Sequence, residues 1–163
     1  MVRVDFPFFR DNPDFSYLDS GATTQKPDAV IDALAGYYRQ GTANVHRALF
    51  SLGVRVTEQY EAARTLTARL LGAASPEEII LTSGTTESLN LAAAVWGEAF
   101  LKAGDTIAVT ALEHHSNLLP WRMAALRAGA KIVTVPVTAQ GELDMPALET
   151  ILAARPKLLA VTA

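Results

Sequence analysis

The sequence predicts an α/β fold, with a parallel-rich sheet flanked by helices, on two observations. Short apolar runs alternate with helical patterns in the second half of the chain, at residues 79–81, 106–110, 131–135 and 157–162. This alternation is typical of βαβ units, whose parallel strands are buried beneath helices on both faces. Half of the 163 residues are apolar and 19% are charged, which is enough apolar material for a buried core.

The first predicted region, residues 1–72, begins with a loop-rich arm. Pro7 and Pro13 interrupt residues 1–26, so we expect no regular structure there apart from a short strand at residues 17–19. The remainder of this region is expected to be helical.

Two helices are predicted after the arm. Pro27 suits the first position of a helix that ends at Gly41. Residues 42–53 show no clear period and are expected to form a loop. Apolar residues then recur every three or four positions from about residue 54, which predicts an amphipathic helix closed by Gly72.

The second predicted region, residues 73–163, contains the four strands and three helices. The helices are expected at about residues 87–102, 120–127 and 145–153. The last strand, residues 157–162, has an uncharged end that an independent module would be expected to cover or charge. Ligands of open parallel sheets bind beyond the carboxyl ends of the strands, so we expect the chain to be truncated at this point.

Composition excludes several function classes. A net charge of −3 provides no basic field for nucleic acid or for an anionic membrane surface. The absence of cysteine excludes disulfides, thiolate metal sites and a cysteine nucleophile within these 163 residues. The charged, proline-containing N-terminus does not resemble a secretory signal, and the longest nearly apolar stretch is too short for a membrane span. We therefore expect a cytoplasmic protein.

The strongest local signal is at residues 82–87 (Thr-Ser-Gly-Thr-Thr-Glu), between a predicted strand and a predicted helix. Gly84 permits a close turn, and the following N–H groups would lie at the positive end of the helix dipole, where a phosphate binds. The hydroxyl groups of Thr85 and Thr86 would add donors. An ordinary helix cap by either threonine explains the same pattern. Neither a GxGxxG fingerprint nor a P-loop is present, so nucleotide binding is not favoured.

A second signal, residues 113–117 (Glu-His-His-Ser-Asn), follows the next strand. Carboxyl ends of parallel strands meet at one sheet edge, so we expect this segment to face the phosphate turn. A histidine there suits acid–base chemistry or stacking on an aromatic ligand. A polar loop that caps the following helix through Asn117 is the competing interpretation. Adjacent histidines point in different directions and no HExxH pattern is present, so a metal site is not favoured.

Weaker signals lie in the first region. In the loop at residues 44–47 (Asn-Val-His-Arg), the guanidinium of Arg47 is suited to a carboxylate, although an ordinary surface loop is the favoured interpretation of this segment. Asp19 and Lys26 are weaker still. Lys26 lacks the apolar surroundings that lower a lysine pKa, so we expect it to be solvated.

Taken together, these segments resemble the first part of a SufS-type cysteine desulfurase. This family consists of pyridoxal-phosphate-dependent enzymes of the class V aminotransferase group with the aspartate-aminotransferase fold. The matching segments occur in the family's order and spacing at residues 17–22, 25–27, 44–47, 84–87 and 113–117, with Asn90, Pro120 and Trp121. The His-His-Ser-Asn segment followed by Pro-Trp is specific to this branch, whereas the Gly-Thr-Thr turn is more widely shared.

The resemblance implies residue roles and partners. The cofactor would be pyridoxal 5'-phosphate. Its ring would stack on His114, the implied catalytic residue, which would also assist proton transfers. The implied cofactor-binding residues are Gly84, Thr85, Thr86, His114 and Asn117. The substrate side would be bordered by Ala22, His46 and Arg47, the last two at a homodimer interface. The implied substrate is L-cysteine. The implied role is to supply sulfur for iron–sulfur cluster assembly, with a sulfur-acceptor protein as a further partner.

The resemblance also implies that essential groups lie outside this chain. In the family, the cofactor lysine, the aspartate facing the pyridine nitrogen, the sulfur-accepting cysteine and the substrate-binding arginine all come later. None of Lys26, Lys102, Lys131 and Lys157 stands in the family's Ser-His-Lys context. We therefore expect an N-terminal portion, with residues 73–163 an incomplete cofactor-binding large domain, that is inactive alone.

Two kinds of alternative stay open at this point. In the first alternative, the parent enzyme is a selenocysteine lyase or another class V member, such as an isopenicillin-epimerase-like enzyme. On the second, the chain is a non-catalytic phosphate-binding module that pairs with a full-length subunit.

Overall fold

Parallel strand pairing organises the second half of the chain, whereas the first half is helical. The computed structural model describes residues 2–47 and 49–162. Within it the chain divides into two units, Met1–Ile80 and Leu81–Ala163.

The first unit contains three α-helices: α1 (Pro7–Asp11), α2 (Asp28–Gln40) and α3 (Ser51–Leu71). Short 3-10 turns at Arg3–Asp5 and Pro76–Glu78 accompany them. Helix α2 begins directly after Pro27 and ends at Gly41, whose φ of 99° is a value that glycine adopts without strain. Helix α3 begins three residues before the predicted start, and Gly72 closes it in the left-handed conformation (φ 70°, ψ 23°) as predicted.

The prediction of an irregular arm is wrong in part. Pro7 begins α1, because a proline at the first helical position has no N–H bond to lose. The predicted strand at residues 17–19 is also absent. Instead, the single O–H of Tyr17 donates to the Thr23 carbonyl and lies 3.3 Å from the Asp19 carbonyl, and the Tyr17 ring packs edge-on against Phe8.

The second unit carries a three-stranded sheet flanked by helices, which confirms the α/β class. Its elements, in chain order, are α4 (Thr85–Phe100), β1 (Thr106–Thr110), α5 (His115–Ala128), β2 (Lys131–Val135), α6 (Met145–Ala153) and β3 (Leu158–Ala160). The strand order is β2-β1-β3 and both pairings are parallel. The central strand β1 is the most buried, with Ile107 and Val109 fully enclosed. These two side chains share a core with Trp121 of α5 and Ala93 of α4.

The structure corrects three of the predicted elements in this half. Residues 79–81 form no strand: Ile79 has extended dihedral angles (φ −95°, ψ 119°), but no strand in the described ranges pairs with it. An extended apolar run becomes a strand only when a neighbour accepts its hydrogen bonds, and the side chain of Ile80 remains 70% exposed. The last strand is shorter than predicted, because β1 pairs with only Leu158–Ala160.

Helix α5 also begins five residues earlier than predicted. The prediction placed Pro120 near the first turn, but His114 caps the helix and His115 is its first residue. A side chain that accepts a hydrogen bond from the first turn replaces one missing backbone partner and so permits an earlier start. Pro120 therefore lies inside α5, where it is buried.

Candidate functional site

The turn before α4 presents backbone N–H groups at the start of a helix. Gly84 occupies the N-cap position with φ 157° and ψ 176°, a combination that is essentially restricted to glycine. Thr85 and Thr86 are the first two helical residues, and the first N–H groups of any α-helix lack partners within that helix. A Cβ on Gly84 would meet no atom within 4 Å, so the space beside the Gly84 Cα is open.

Glu87 holds this turn from within. Its Oε2 accepts hydrogen bonds from the Ser83 N–H at 2.7 Å and from the Ser83 hydroxyl at 2.6 Å. These two bonds lower the pKa of Glu87, because they stabilise the ionised carboxylate. One turn further on, Asn90 Nδ2 donates to the Thr86 carbonyl at 2.8 Å. The start of α4 is thus built by short-range hydrogen bonds.

His114 caps α5 with its own ring. Its Nδ1 accepts a hydrogen bond from the Ser116 backbone N–H at 3.1 Å and lies 2.7 Å from the Ser116 hydroxyl oxygen. Because Nδ1 acts as an acceptor, the proton of the neutral imidazole is on Nε2. The side chain is exposed, so the ring face and Nε2 are available to a ligand.

Glu113, directly before His114, is the centre of a hydrogen-bond network. Its Oε1 accepts from Thr110 Oγ1 at 2.6 Å and from the Thr162 N–H at 2.9 Å. Its Oε2 accepts from Thr162 Oγ1 at 2.7 Å and from Asn117 Nδ2 at 2.6 Å. Burial by itself raises the pKa of Glu113, but the hydrogen bonds from Thr110, Thr162 and Asn117 outweigh it and hold the pKa below its ordinary value.

Sequence reasoning did not assign Glu113 a role. Thr110 and Asn117 lie three and four residues away from it, so a local pattern was available in retrospect. Thr162, however, is 49 residues away, and no sequence signal connects the two. Only the parallel alignment of β1 with β3 brings Thr162 to this carboxylate.

Asn117 continues the network toward the core. Its Oδ1 accepts from Trp121 Nε1 at 3.1 Å, while its Nδ2 is used by Glu113. The side chain is buried and both ends of its amide are occupied within the protein. Asn117 therefore holds the first turn of α5 to the loop before it.

The starts of α4 and α5 share one groove, of about 350 Å³. Thr86 and Asn90 line it from α4, and His114 and Ser116 line it from the start of α5. Leu119, Pro120 and Met123 add an apolar wall. The two predicted signals therefore meet at one groove through Thr86 and His114, whereas Gly84 and Thr85 precede Thr86 in the chain and are not part of the lining. The groove combines the start of a helix, an imidazole face and apolar surface. Such a combination suits a flat ring that carries an anionic group.

The substrate residues implied by the resemblance belong to the first unit. Ala22 is exposed in a turn, where its N–H donates to the Asp19 carbonyl at 3.1 Å. His46 has a positive φ of 66°, and its Nε2 lies 3.1 Å from Glu61 Oε1 of α3. The His46 backbone N–H donates to Thr57 Oγ1 at 3.0 Å, which ties this loop to α3 a second time.

Arg47 and Lys26, the two basic residues singled out in this region, are both exposed. Arg47 follows His46 in the same loop. Glu61, the partner of His46, also pairs with Arg64 at 3.1 Å. Lys26 is exposed, as predicted, and its ammonium donates to the Thr24 carbonyl.

The described residues contain neither a metal-binding cluster nor a membrane-spanning helix. No group of three His, Asp or Glu side chains in residues 2–47 and 49–162 is arranged to hold a metal ion. Over the same ranges, every helix is too short or too polar to cross a membrane.

Comparison with known proteins links the whole chain to one family. The model of the aminotransferase class-V family matches residues 16–163. A cysteine desulfurase of Yersinia pestis (strain Pestoides F) is 48% identical over 164 residues, which cover 99% of this chain and 40% of that protein. The chain therefore spans about 40% of the length of that relative.

Two solved structures have the same fold over nearly the whole chain. The cysteine desulfurase CsdA of Escherichia coli superposes with a TM-score of 0.78 at 42% identity, covering 96% of this chain and 39% of that one. The apo cysteine desulfurase of Thermococcus onnurineus NA1 superposes with a TM-score of 0.85 at 39% identity, covering 97% and 38%.

Proposed function

Because the chain belongs to the class-V aminotransferase family, we propose that it forms the N-terminal part of a pyridoxal-phosphate-dependent cysteine desulfurase. The longer protein would convert L-cysteine to L-alanine and retain the sulfur as an enzyme persulfide. The observation that carries this proposal is the shared groove, in which Thr86 at the start of α4 and His114 at the start of α5 line the same space. The relatives named cysteine desulfurase support the choice of reaction.

The groove and the turn that leads into α4 together fit pyridoxal 5'-phosphate. Gly84, Thr85 and Thr86 would hold the phosphate, because they form the N-terminal turn of α4, where backbone N–H groups lack partners within the helix, and the space beside Gly84 is open. The apolar wall and the exposed face of the His114 ring suit the pyridine ring. When bound, the cofactor supplies an electron sink for negative charge that develops on the substrate.

His114 has two tasks in this proposal. Its ring plane provides a stacking surface, and its Nε2 holds or moves a proton during the reaction. Ser116 keeps the ring in that tautomer, because its N–H occupies Nδ1. Asn117 serves the cofactor site indirectly, through the position of the first turn of α5.

The proposed substrate residues are Ala22, His46 and Arg47. The Arg47 guanidinium suits the carboxylate of L-cysteine, while the bonds of His46 to α3 hold the loop that carries both residues. We further propose a homodimer that acts in the cytoplasm and passes sulfur to an acceptor protein for iron–sulfur cluster assembly.

The covalent steps need groups that these 163 residues do not supply. The chain has no cysteine to carry a persulfide, and none of its four lysines stands in the family's Ser-His-Lys context. The proposal therefore assigns cofactor phosphate binding and ring stacking to this chain, and the sulfur carrier to the rest of the longer protein.

A matched pair of glycine substitutions tests the phosphate turn. In the full-length protein, Gly84→Ala should weaken pyridoxal phosphate binding by roughly tenfold or more, because alanine at this φ costs ~1–3 kcal/mol and displaces the turn. Gly141→Ala is the control: Gly141 also has a positive φ (81°) and open space at its Cβ, but it lies between β2 and α6 and not at the start of α4. Absorbance titration with pyridoxal phosphate measures the affinity of both variants. Equal affinities would contradict the assignment of the phosphate to the turn at Gly84.

Replacement of His114 tests its chemical role. His114→Ala should reduce desulfurase turnover by about 100-fold or more, the usual range for loss of a general acid–base group, while the phosphate contacts remain. Alanine release from L-cysteine measures the rate, and an unchanged rate removes His114 from the mechanism. The wild-type protein is assayed in parallel with L-selenocysteine, and a clear preference for that substrate would favour the selenocysteine lyase alternative. If the wild-type protein turns over neither substrate, the non-catalytic module is favoured.

A further inference from the structure

One carboxylate joins three elements at the edge of the sheet where the groove lies. Glu113 accepts hydrogen bonds from Thr110 at the end of β1, from Thr162 just after β3 and from Asn117 in the first turn of α5. None of these partners lines the groove, whereas the next residue, His114, does. The network is therefore connected to the groove through His114 without lining it.

The network specifically requires an acceptor-only side chain. All four bonds to Glu113 are donated by its partners, so both carboxylate oxygens are used twice. The Thr110 and Thr162 hydroxyls are able to reverse and accept, but the Thr162 backbone N–H is not. The Asn117 amide is not able to reverse either, because its Oδ1 accepts from Trp121. Glutamine at position 113 would thus place its NH2 against a fixed donor in either orientation.

His114 is fixed by its attachment to this network on both sides. Glu113 precedes it, and the His114 carbonyl accepts from the Asn117 backbone N–H at 2.8 Å. The ring is then oriented by Ser116, in the same turn. Loss of the Glu113 bonds would release the loop that carries His114, while the ring itself would stay chemically intact.

We propose that Glu113 is the positioning residue for His114, through a carboxylate network that joins the ends of β1 and β3 to the start of α5. Glu113 acts on the loop and does not touch the ligand. The hydrogen bonds that lower its pKa are those of the network, so the carboxylate is ionised, and accepts all four bonds, at neutral pH. The effect on cofactor affinity rests on the proposed function, whereas the effect on His114 itself does not.

An exchange of amide and carboxylate between positions 113 and 117 tests the network in the full-length protein. In Glu113→Gln, a donor faces a donor, and in Asn117→Asp, a carboxylate faces a carboxylate. Each single variant should bind pyridoxal phosphate roughly tenfold more weakly, the factor that one unsatisfied buried hydrogen-bonding group accounts for. In the double variant, the amide introduced at position 113 donates to the carboxylate introduced at position 117, which still accepts from Trp121. The affinity of the double variant should return to within about threefold of the wild-type value.

The second readout is independent of the cofactor. With labelled tryptophan and histidine, the Trp121 indole N–H resonance and the His114 ring resonances should shift in each single variant and return in the double variant. Glu149→Gln is the matched control, because Glu149 is exposed on α6 and outside this network. It should leave both resonances and the affinity unchanged.

Three results would overturn the proposal. The first is unchanged His114 resonances in Glu113→Gln, and the second is a double variant no better than the weaker single variant, since coupled residues are expected to be non-additive. The third is a shift of the Trp121 resonance with full cofactor affinity, which would limit Glu113 to a local structural role. If the wild-type protein binds no pyridoxal phosphate, the proposed function fails, and the His114 resonances still decide the role of Glu113.

Discussion

At the scale of single residues, the site depends on acidic side chains that accept hydrogen bonds from the backbone. Glu87 accepts from the Ser83 N–H before α4, and Glu113 accepts from the Thr162 N–H after β3. Both carboxylates have lowered pKa values, mainly because side-chain donors stabilise the ionised form, and the backbone N–H bonds add to that effect. Acidic residues near a helix start also interact favourably with its dipole. The two turns that line the groove are therefore held by charge as well as by backbone geometry.

This arrangement predicts how stability depends on pH at Glu87. Its folded-state pKa lies below the ordinary 4.5, so its hydrogen bonds stabilise the fold fully above pH 4.5 and progressively less as the pH falls through the folded-state pKa. Glu87→Gln should remove that part of the pH dependence. Urea unfolding at pH 6 and at pH 3.5 should therefore show a smaller loss of stability for Glu87→Gln than for the wild-type protein. Equal losses would contradict the role assigned to Glu87.

At the scale of elements, the second unit depends on close packing of α4 against α5. A Cβ on Gly97 of α4 would lie 3.0 Å from the Cβ of Ala124 on α5, which is closer than side chains normally approach. Glycine is unfavourable inside a helix, so its presence here has a packing reason. Gly36 in α2 differs, because a Cβ there would meet only a glutamine side chain at 3.8 Å.

The two glycines should respond oppositely to alanine. Gly36→Ala should stabilise the protein by about 0.5–1 kcal/mol, because alanine is the better helix former and room exists. Gly97→Ala gains the same propensity, but the overpacking against Ala124 costs ~1–3 kcal/mol, so the net effect should be destabilising. Free energies of unfolding in urea measure both. A stabilising Gly97→Ala would show that the two helices separate easily.

The strands show how much an element depends on its neighbours. Residues 106–110 and 131–135 are strands with the bounds that the sequence predicted, because both are apolar runs that pair with each other along their whole length. Residues 79–81 have a similar composition, but they form no strand among the described residues, although Ile79 has extended dihedral angles. Composition thus identifies the tendency to extend, and pairing decides the strand.

At the scale of the whole molecule, the chain contains the groove proposed to bind the cofactor but has no cysteine to carry sulfur in the proposed reaction. The 163-residue chain, mixed with pyridoxal phosphate and L-cysteine, should release no alanine above the level that free pyridoxal phosphate produces. Borohydride reduction followed by mass spectrometry should find no stoichiometric adduct at Lys26, Lys102, Lys131 or Lys157. A stable adduct at one of these lysines would contradict the proposal that the cofactor lysine lies elsewhere in the longer protein.

The sequence by itself determined the α/β class, the helices with local periods and caps, and the two segments that meet at the groove. Helix α6 and strands β1 and β2 have their predicted bounds, because their signals lie within a few neighbouring residues. Only the tertiary structure decided that residues 79–81 form no strand and that Glu113 joins Thr162. Hydrogen bonds between distant segments depend on which strands align, and that alignment is a property of the packed chain and not of any local pattern.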